Sequence, residues 1–283
     1  MKYFITLLLL ISLDSFAQND LIFDKTSVDL EDKWVAFKDN KDDSYNYGFI
    51  YIDETAGLTL DYKGKFTIDE AGKFINVIFE ESKKTEQIKV RLKPNNLPVA
   101  EIPESRFKEL NIPKIPEWLR FYKEGENTVS YLYNKGYLLN EYNQIERALV
   151  NLEKADKIDS NYKGLQTELA FSYNALKMFD KAEKALIKAL KEDPKDCYTL
   201  KELAYTYCNS DDLKKSSDVY FKMQSCNEKN FIEETAYNIA QKYYEKKDIK
   251  NFEKWSIESK KWAIKESIYS KNLDGMKIQL SKT

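Results

Sequence analysis

The chain has no histidine and only three cysteines among 283 residues, so chemistry that depends on an imidazole is closed to it. A Ser–His pair, a Cys–His pair and a His-ligated metal are all excluded within it. Three cysteines cannot supply a four-cysteine zinc site. The 47 acidic residues contain no pair that spacing alone singles out for carboxylate-dependent hydrolysis. Asp39-Asn40-Lys41-Asp42-Asp43 gathers oxygen ligands, but it lacks the spacing of a calcium loop and contains a lysine, so it reads as a solvated hairpin turn. No catalytic residue, metal ligand or cofactor is assigned. With 45 basic against 47 acidic residues, electrostatic capture of nucleic acid or an anionic membrane is not expected. Recognition chemistry is plentiful instead: there are 20 tyrosines, each a large ring with a hydroxyl at its tip.

Many of those rings recur in step, and the recurrence points to the elements that hold them. Gly136, Ala170 and Ala204 are 34 residues apart, as are Ala148, Ala182 and Ser216. Leu139, Tyr173 and Tyr207 keep the same interval, as do Ile145, Phe179 and Leu213, then Leu152, Leu186 and Tyr220, and Ala155, Ala189 and Met223. A fourth copy follows at 36 residues with Ala240, Tyr243 and Ile249. Small residues let two helices approach and large ones fill the space between. A helix pair cannot bury its apolar face alone, so neighbours must stack.

These columns resemble the tetratricopeptide repeat family. The likeness is strongest in the second copy, with Ala170, Tyr173, Phe179, Ala182, Leu186, Ala189 and the closing Pro194. The first copy has Ser160 at the closing position, and the third has Met223 and Glu228 at the second-helix alanine and closing positions. The fourth has Phe252 where the others have a small residue. Copies are expected at about 129–162, 163–196, 197–230 and 231–262, with a terminal helix at about 262–271 covering the last apolar face. Trp118, Leu119 and Tyr122 are expected in a helix capping the front.

The resemblance implies that the first helix of each pair lines the concave face of a superhelix. Helical spacing then points Tyr133, Tyr137 and Asn140 there from the first copy, and Thr167, Phe171 and Asn174 from the second. The third contributes Tyr198, Lys201, Tyr205, Cys208 and Asn209, and the fourth Tyr237, Gln241 and Tyr244. This face is expected to be aromatic and amide-rich with little charge. Asn140 and Asn174 could each donate to and accept from an extended peptide backbone. No lysine or arginine cluster favours a C-terminal carboxylate. On the alternative reading, the same aromatics pack within or between repeats, or against the N-terminal domain. Cys197 opens the third pair and Cys226 closes it, which would permit a disulfide in an oxidising compartment; free thiols are the other reading.

Before the repeats, Met1-Lys2, an apolar run from Phe4 to Leu13 and Ser15-Phe16-Ala17 form a secretory signal pattern over 1–17, with cleavage near Ala17. Residues 18–93 read as a small antiparallel β domain. Its strands lie at Trp34–Phe37, Tyr47–Ile52, Leu58–Tyr62, Phe74–Phe79 and Gln87–Leu92, and one of its turns at Lys63-Gly64-Lys65. Five of the six prolines fall in 94–116, an expected extended connector with a helical turn at Glu104–Leu110, packed along a surface by Leu97, Val99, Ile102, Phe107, Leu110 and Ile112. The expected fold class is α+β: a small N-terminal antiparallel β domain, then an α-helical solenoid over 117–283.

The reading is a non-catalytic scaffold, periplasmic or secreted, that binds another protein or peptide segment through the concave face. It needs no nucleic acid and no membrane insertion of the mature chain. Two alternatives are a carboxylate-dependent hydrolase with its site in the β domain or at the domain junction, and a structural envelope subunit of a homo-oligomer.

Overall fold

The computed structural model describes residues 21–77, 88–94, 97–265 and 267–280. The signal-peptide expectation for 1–17 lies outside them. Two compact units meet between Glu124 and Gly125.

In the first unit a 3-10 turn at Ser27–Leu30 leads to β1 (Lys33–Lys38), β2 (Tyr45–Asp53), β3 (Gly57–Ile68), β4 (Phe74–Val77), β5 (Ile88–Arg91) and β6 (Ala100–Glu101). A 3-10 turn at Glu104–Arg106, α1 (Phe107–Leu110), another at Glu117–Leu119 and α2 (Arg120–Lys123) follow. The sheet order is β4-β3-β2-β1-β6, with β5 also beside β3, and every pairing is antiparallel. Side chains alternate across a strand. Tyr47, Phe49 and Tyr51 therefore share one face with Trp34, Ala36, Phe66 and Phe74. Ile102, Leu110, Ile112 and Leu119 cover that face, and the Trp34 indole donates to the Pro113 carbonyl at 2.7 Å.

Two expectations need correction here. The turn at Lys63-Gly64-Lys65 lies inside β3, because Gly64, at φ 153°, takes up a register shift opposite Tyr47 and Gly48. Such a bulge keeps the strand continuous where a turn residue would otherwise end it. Along residues 97–116, Val99, Ile102, Leu110 and Ile112 are buried in the sheet unit, and Ala100–Glu101 pairs with β1. Leu119 lies in this same core and Trp118 and Tyr122 pack against it, so the three belong with the sheet unit and not with a first repeat helix.

The second unit is a run of helix pairs: α3 (Val129–Glu141) with α4 (Ile145–Ile158), α5 (Leu165–Ala175) with α6 (Phe179–Glu192), α7 (Cys197–Asn209) with α8 (Leu213–Met223), and α9 (Lys229–Glu245) with α10 (Ile249–Trp262). A last helix, α11 (Ile268–Leu280), follows; it starts later than the expected 262–271, because Trp262 completes α10. Thr128, Asp196, Asp212 and Asp248 cap helix starts, each accepting from the backbone N–H three residues on. Each hairpin turn carries one left-handed residue, Asn143, Lys177, Asp211 and Lys247, just beyond the first helix of its pair. The small columns are buried where the pairs cross: Gly136, Ala170, Ala204 and Ala240 on first helices, Ala148, Ala182 and Ser216 on second helices. Phe252 replaces the small residue in α10 and is itself buried against Tyr244.

Candidate functional site

The first helices, α3, α5, α7 and α9, carry the residues expected to recognise a partner. Two kinds of position emerge on them.

The first kind is internal. Asn140 Nδ2 donates to the Glu168 backbone oxygen at 3.3 Å and to its carboxylate at 3.1 Å, while Ser172 Oγ donates to Asn140 Oδ1 at 2.8 Å. One repeat later Asn174 Nδ2 faces the Glu202 oxygens at 3.5 and 3.3 Å, and Thr206 Oγ1 donates to Asn174 Oδ1 at 2.9 Å. Both asparagines are buried. Their amides therefore hold neighbouring repeats together and are not offered to a peptide, which corrects the expectation for Asn140 and Asn174. Thr167 is likewise buried, its hydroxyl 2.9 Å from that of Thr199. At the third position of this column stands Cys208, a buried free thiol 3.1 Å from Ser216 Oγ, and the amide ladder ends there. Burial pushes the Cys208 thiol up to about 11, so it is no nucleophile at neutral pH.

Several rings are also occupied by packing. Tyr133 lies against Tyr162, and Tyr198 against Phe231. In the fourth pair α11 covers the face: Tyr237 packs on Tyr269 at 4.9 Å, and the Tyr244 hydroxyl donates to Gln279. Asn209 donates to the Tyr205 carbonyl, and Gln241 reaches Glu245 on its own helix.

The second kind of position is open. Tyr137, Phe171 and Tyr205 stand 34 residues apart at one position of three successive first helices. Tyr137 is 44% and Tyr205 38% exposed, with Phe171 half-buried between them.

The expectation of little charge is overturned. Glu168 and Glu202 are buried beside these rings, and Lys201 lies 3.0 Å from Glu202 and 3.6 Å from Glu234. The Lys201 ammonium also sits 4.9 Å from the Tyr198 ring and 5.5 Å from the Phe231 ring. Burial pushes the Glu168 carboxyl up to about 7; the Asn140 bond opposes this, and the charges of Glu202 and Glu141 add to it. Burial also raises Tyr137, helped by Glu141 and Glu168. A column of small and aromatic residues did not announce these carboxylates in the sequence. The signal was the Glu168/Glu202 recurrence at 34 residues.

Cys197 and Cys226 are joined by a disulfide with Cα atoms 6.0 Å apart, tying the start of α7 to the segment after α8. A cavity of about 390 Å³ opens beside α5, lined among others by Tyr162, Gln166, Lys188 and Asp196. Three of its polar groups are spent internally: Lys188 and Gln166 donate to the Ser160 carbonyl, and Asp196 caps α7. On the second helices Ile187, Phe221 and Ile257 form another exposed apolar column, at intervals of 34 and 36, which the packing columns had hidden.

Residues 139–215 match the family model described as tetratricopeptide repeat. That stretch, from α3 into α8, is of tetratricopeptide type. Solved structures similar to this chain are tetratricopeptide proteins as well. MamA 41-end from Desulfovibrio magneticus RS-1 is 18% identical over 56% of this chain and 85% of its own, with a TM-score of 0.44. TTC0263, a thermophilic TPR protein of Thermus thermophilus, is 14% identical over 57% of this chain and 87% of its own, TM-score 0.46. YrrB, titled a TPR protein with an unusual peptide-binding site, is 13% identical over 59% of this chain and 99% of its own, TM-score 0.29. No curated protein matches the chain by sequence.

Proposed function

We propose that this chain is a non-catalytic, exported scaffold that binds a segment of a partner protein along the concave face of its repeats. Tetratricopeptide proteins are protein-interaction scaffolds, and the repeats here follow that pattern. One observation carries the reading: Tyr137, Phe171 and Tyr205 repeat at one position while the packing beside them is completed by the Asn140 and Asn174 ladders. Exposed rings outside the packing columns are the anchors an interface uses, since they offer large contact area at low ordering cost. The exposed Glu141 beside Tyr137 favours a segment that presents a basic side chain among apolar ones.

Export is supported by the signal pattern in the sequence and by the Cys197–Cys226 disulfide, which fits an oxidising compartment. Among the described residues no helix is long and apolar enough to cross a membrane. Cross-linking capture from the native envelope or the medium tests the proposal. The wild-type chain should recover a protein that the combined Tyr137→Ala and Phe171→Ala variant, with its helicity intact, does not. Equal recovery by both would remove the reading.

A further inference from the structure

The sheet unit contains a grouping that none of the repeat chemistry uses. Tyr51 from β2, Trp118 from the 3-10 turn at Glu117–Leu119 and Tyr122 from α2 stand edge-on to one another, with ring centres 4.6 to 5.8 Å apart. Into the box they form reaches the Lys89 ammonium, 5.7, 5.6 and 4.8 Å from the three ring centres and 2.5 Å from the Tyr122 hydroxyl. Rings present a negative face to a cation, and three such faces around one point make a site for an ammonium group.

Asp61 of β3 is the register partner of Lys89 across the β3–β5 pairing. It is only 5% exposed, and its Oδ1 has no hydrogen-bond partner among the described residues. Burial raises its pKa, opposed by the charges of Lys89 and Lys63. A buried carboxylate oxygen without a partner is costly, and a cation in the adjoining box offsets that cost. Lys89 does so only in part, because its ammonium donates to Tyr122 and leaves Asp61 Oδ1 without a bond. Lys89 stands on β5, four exposed residues at the rim, so its side chain can leave the box without moving a core element.

We propose that Tyr51, Trp118 and Tyr122, backed by Asp61, form a recognition site for a quaternary ammonium group, and that Lys89 fills it in cis until such a ligand arrives. Tyr51 is fully buried, so a ligand must take the place of Lys89; a methyl-bearing ammonium there is larger and less hydrated than the lysine head and makes closer contact with the same three rings. That chemistry reaches a protein either as a free choline-type molecule or as a trimethylated lysine of a partner, and the two are separable by experiment.

The test is calorimetric titration of the full chain with choline and, in a second arm, with a short trimethyllysine peptide. A competitor in cis lowers apparent affinity by the fraction of sites it holds, so Lys89→Ala should tighten binding by about tenfold. Lys89→Gln, which keeps most of the stem, should tighten it in the same direction. Adding Tyr122→Leu to either variant should abolish the gain. The uncharged tert-butyl analogue of choline should not bind. Binding of choline alone assigns a small-molecule ligand, and binding of the peptide alone a protein one. The proposal is overturned if neither probe binds the folded Lys89 variants, if Tyr122→Leu leaves binding unchanged, or if the uncharged analogue binds equally well.

Discussion

Asn140 on α3 donates both to the backbone oxygen and to the carboxylate of Glu168 on α5, and the same pair recurs one repeat later as Asn174 and Glu202. The stack is therefore held by a polar seam as well as by its apolar columns. Removing one member leaves a buried acceptor unpaired, which costs more than the net worth of a hydrogen bond. Asn140→Ala should lower the unfolding free energy by about 1–3 kcal/mol in urea titration. A loss below about 0.5 kcal/mol, the range of ordinary surface substitutions, would show that the seam is incidental.

Glu168 makes that seam sensitive to pH. Its folded pKa of about 7 lies above the ordinary 4.5, so the native state holds a proton that the unfolded chain has released between those values. Its contribution is fully present below about 4.5 and is lost as pH rises through about 7, a change on the order of 3 kcal/mol. Glu168→Gln keeps an acceptor for Asn140 and never ionises. Relative to wild type it should be near neutral at pH 4.5 and stabilising by a few kcal/mol at pH 8, since each tenfold change in proton affinity is worth about 1.4 kcal/mol. A wild-type-minus-variant difference that is flat across that window would show that Glu168 is ionised throughout.

The close approach of α3 to α4 depends on Gly136. A Cβ there would lie 2.5 Å from Leu152 Cγ, a core atom that cannot retreat freely. Gly136→Ala should destabilise by about 1–3 kcal/mol despite its better helix propensity. Gly275, inside α11 with open space around it, is the control: its alanine variant should be stabilising by about 0.5–1 kcal/mol. Thermal unfolding of the two variants distinguishes the cases, and equal behaviour would contradict the packing described for the first pair.

The disulfide closes 29 residues of chain around the third pair. By the loop-entropy relation it stabilises by about 3.6 kcal/mol. Urea unfolding with and without reductant should differ by that order, and Cys226→Ser should abolish the difference. An unchanged midpoint on reduction would mean that Cys197 and Cys226 are thiols in the folded chain.

Much of the helical unit was legible because its constraint is local in type: only a small residue fits where two helices cross, so Gly136, Ala170 and Ala204 mark the period directly. The hairpin turns were not, since the left-handed positions are filled by Asn143, Lys177, Asp211 and Lys247, none of them glycine and no one type common to all four. Asn140 and Asn174 hid their role because their partners lie 28 residues on, in the next first helix. Helical spacing tells which side a residue faces, and says nothing of what waits there. The same limit applies to Trp118 and Tyr122: their spacing fits a helix, but it cannot say whether a sheet or a helix pair lies beneath. The aromatic column Tyr137, Phe171 and Tyr205 was visible from the sequence, and its exposure only from the fold.

The proposed function depends on the partner meeting the first helices. Ile187, Phe221 and Ile257 on the second helices offer an equally regular apolar alternative, so a photo-crosslinking residue placed singly in each column decides between them. At position 137, 171 or 205 it should join the captured partner covalently, and at 187, 221 or 257 it should not. Adducts confined to the second-helix positions would contradict the proposed binding face.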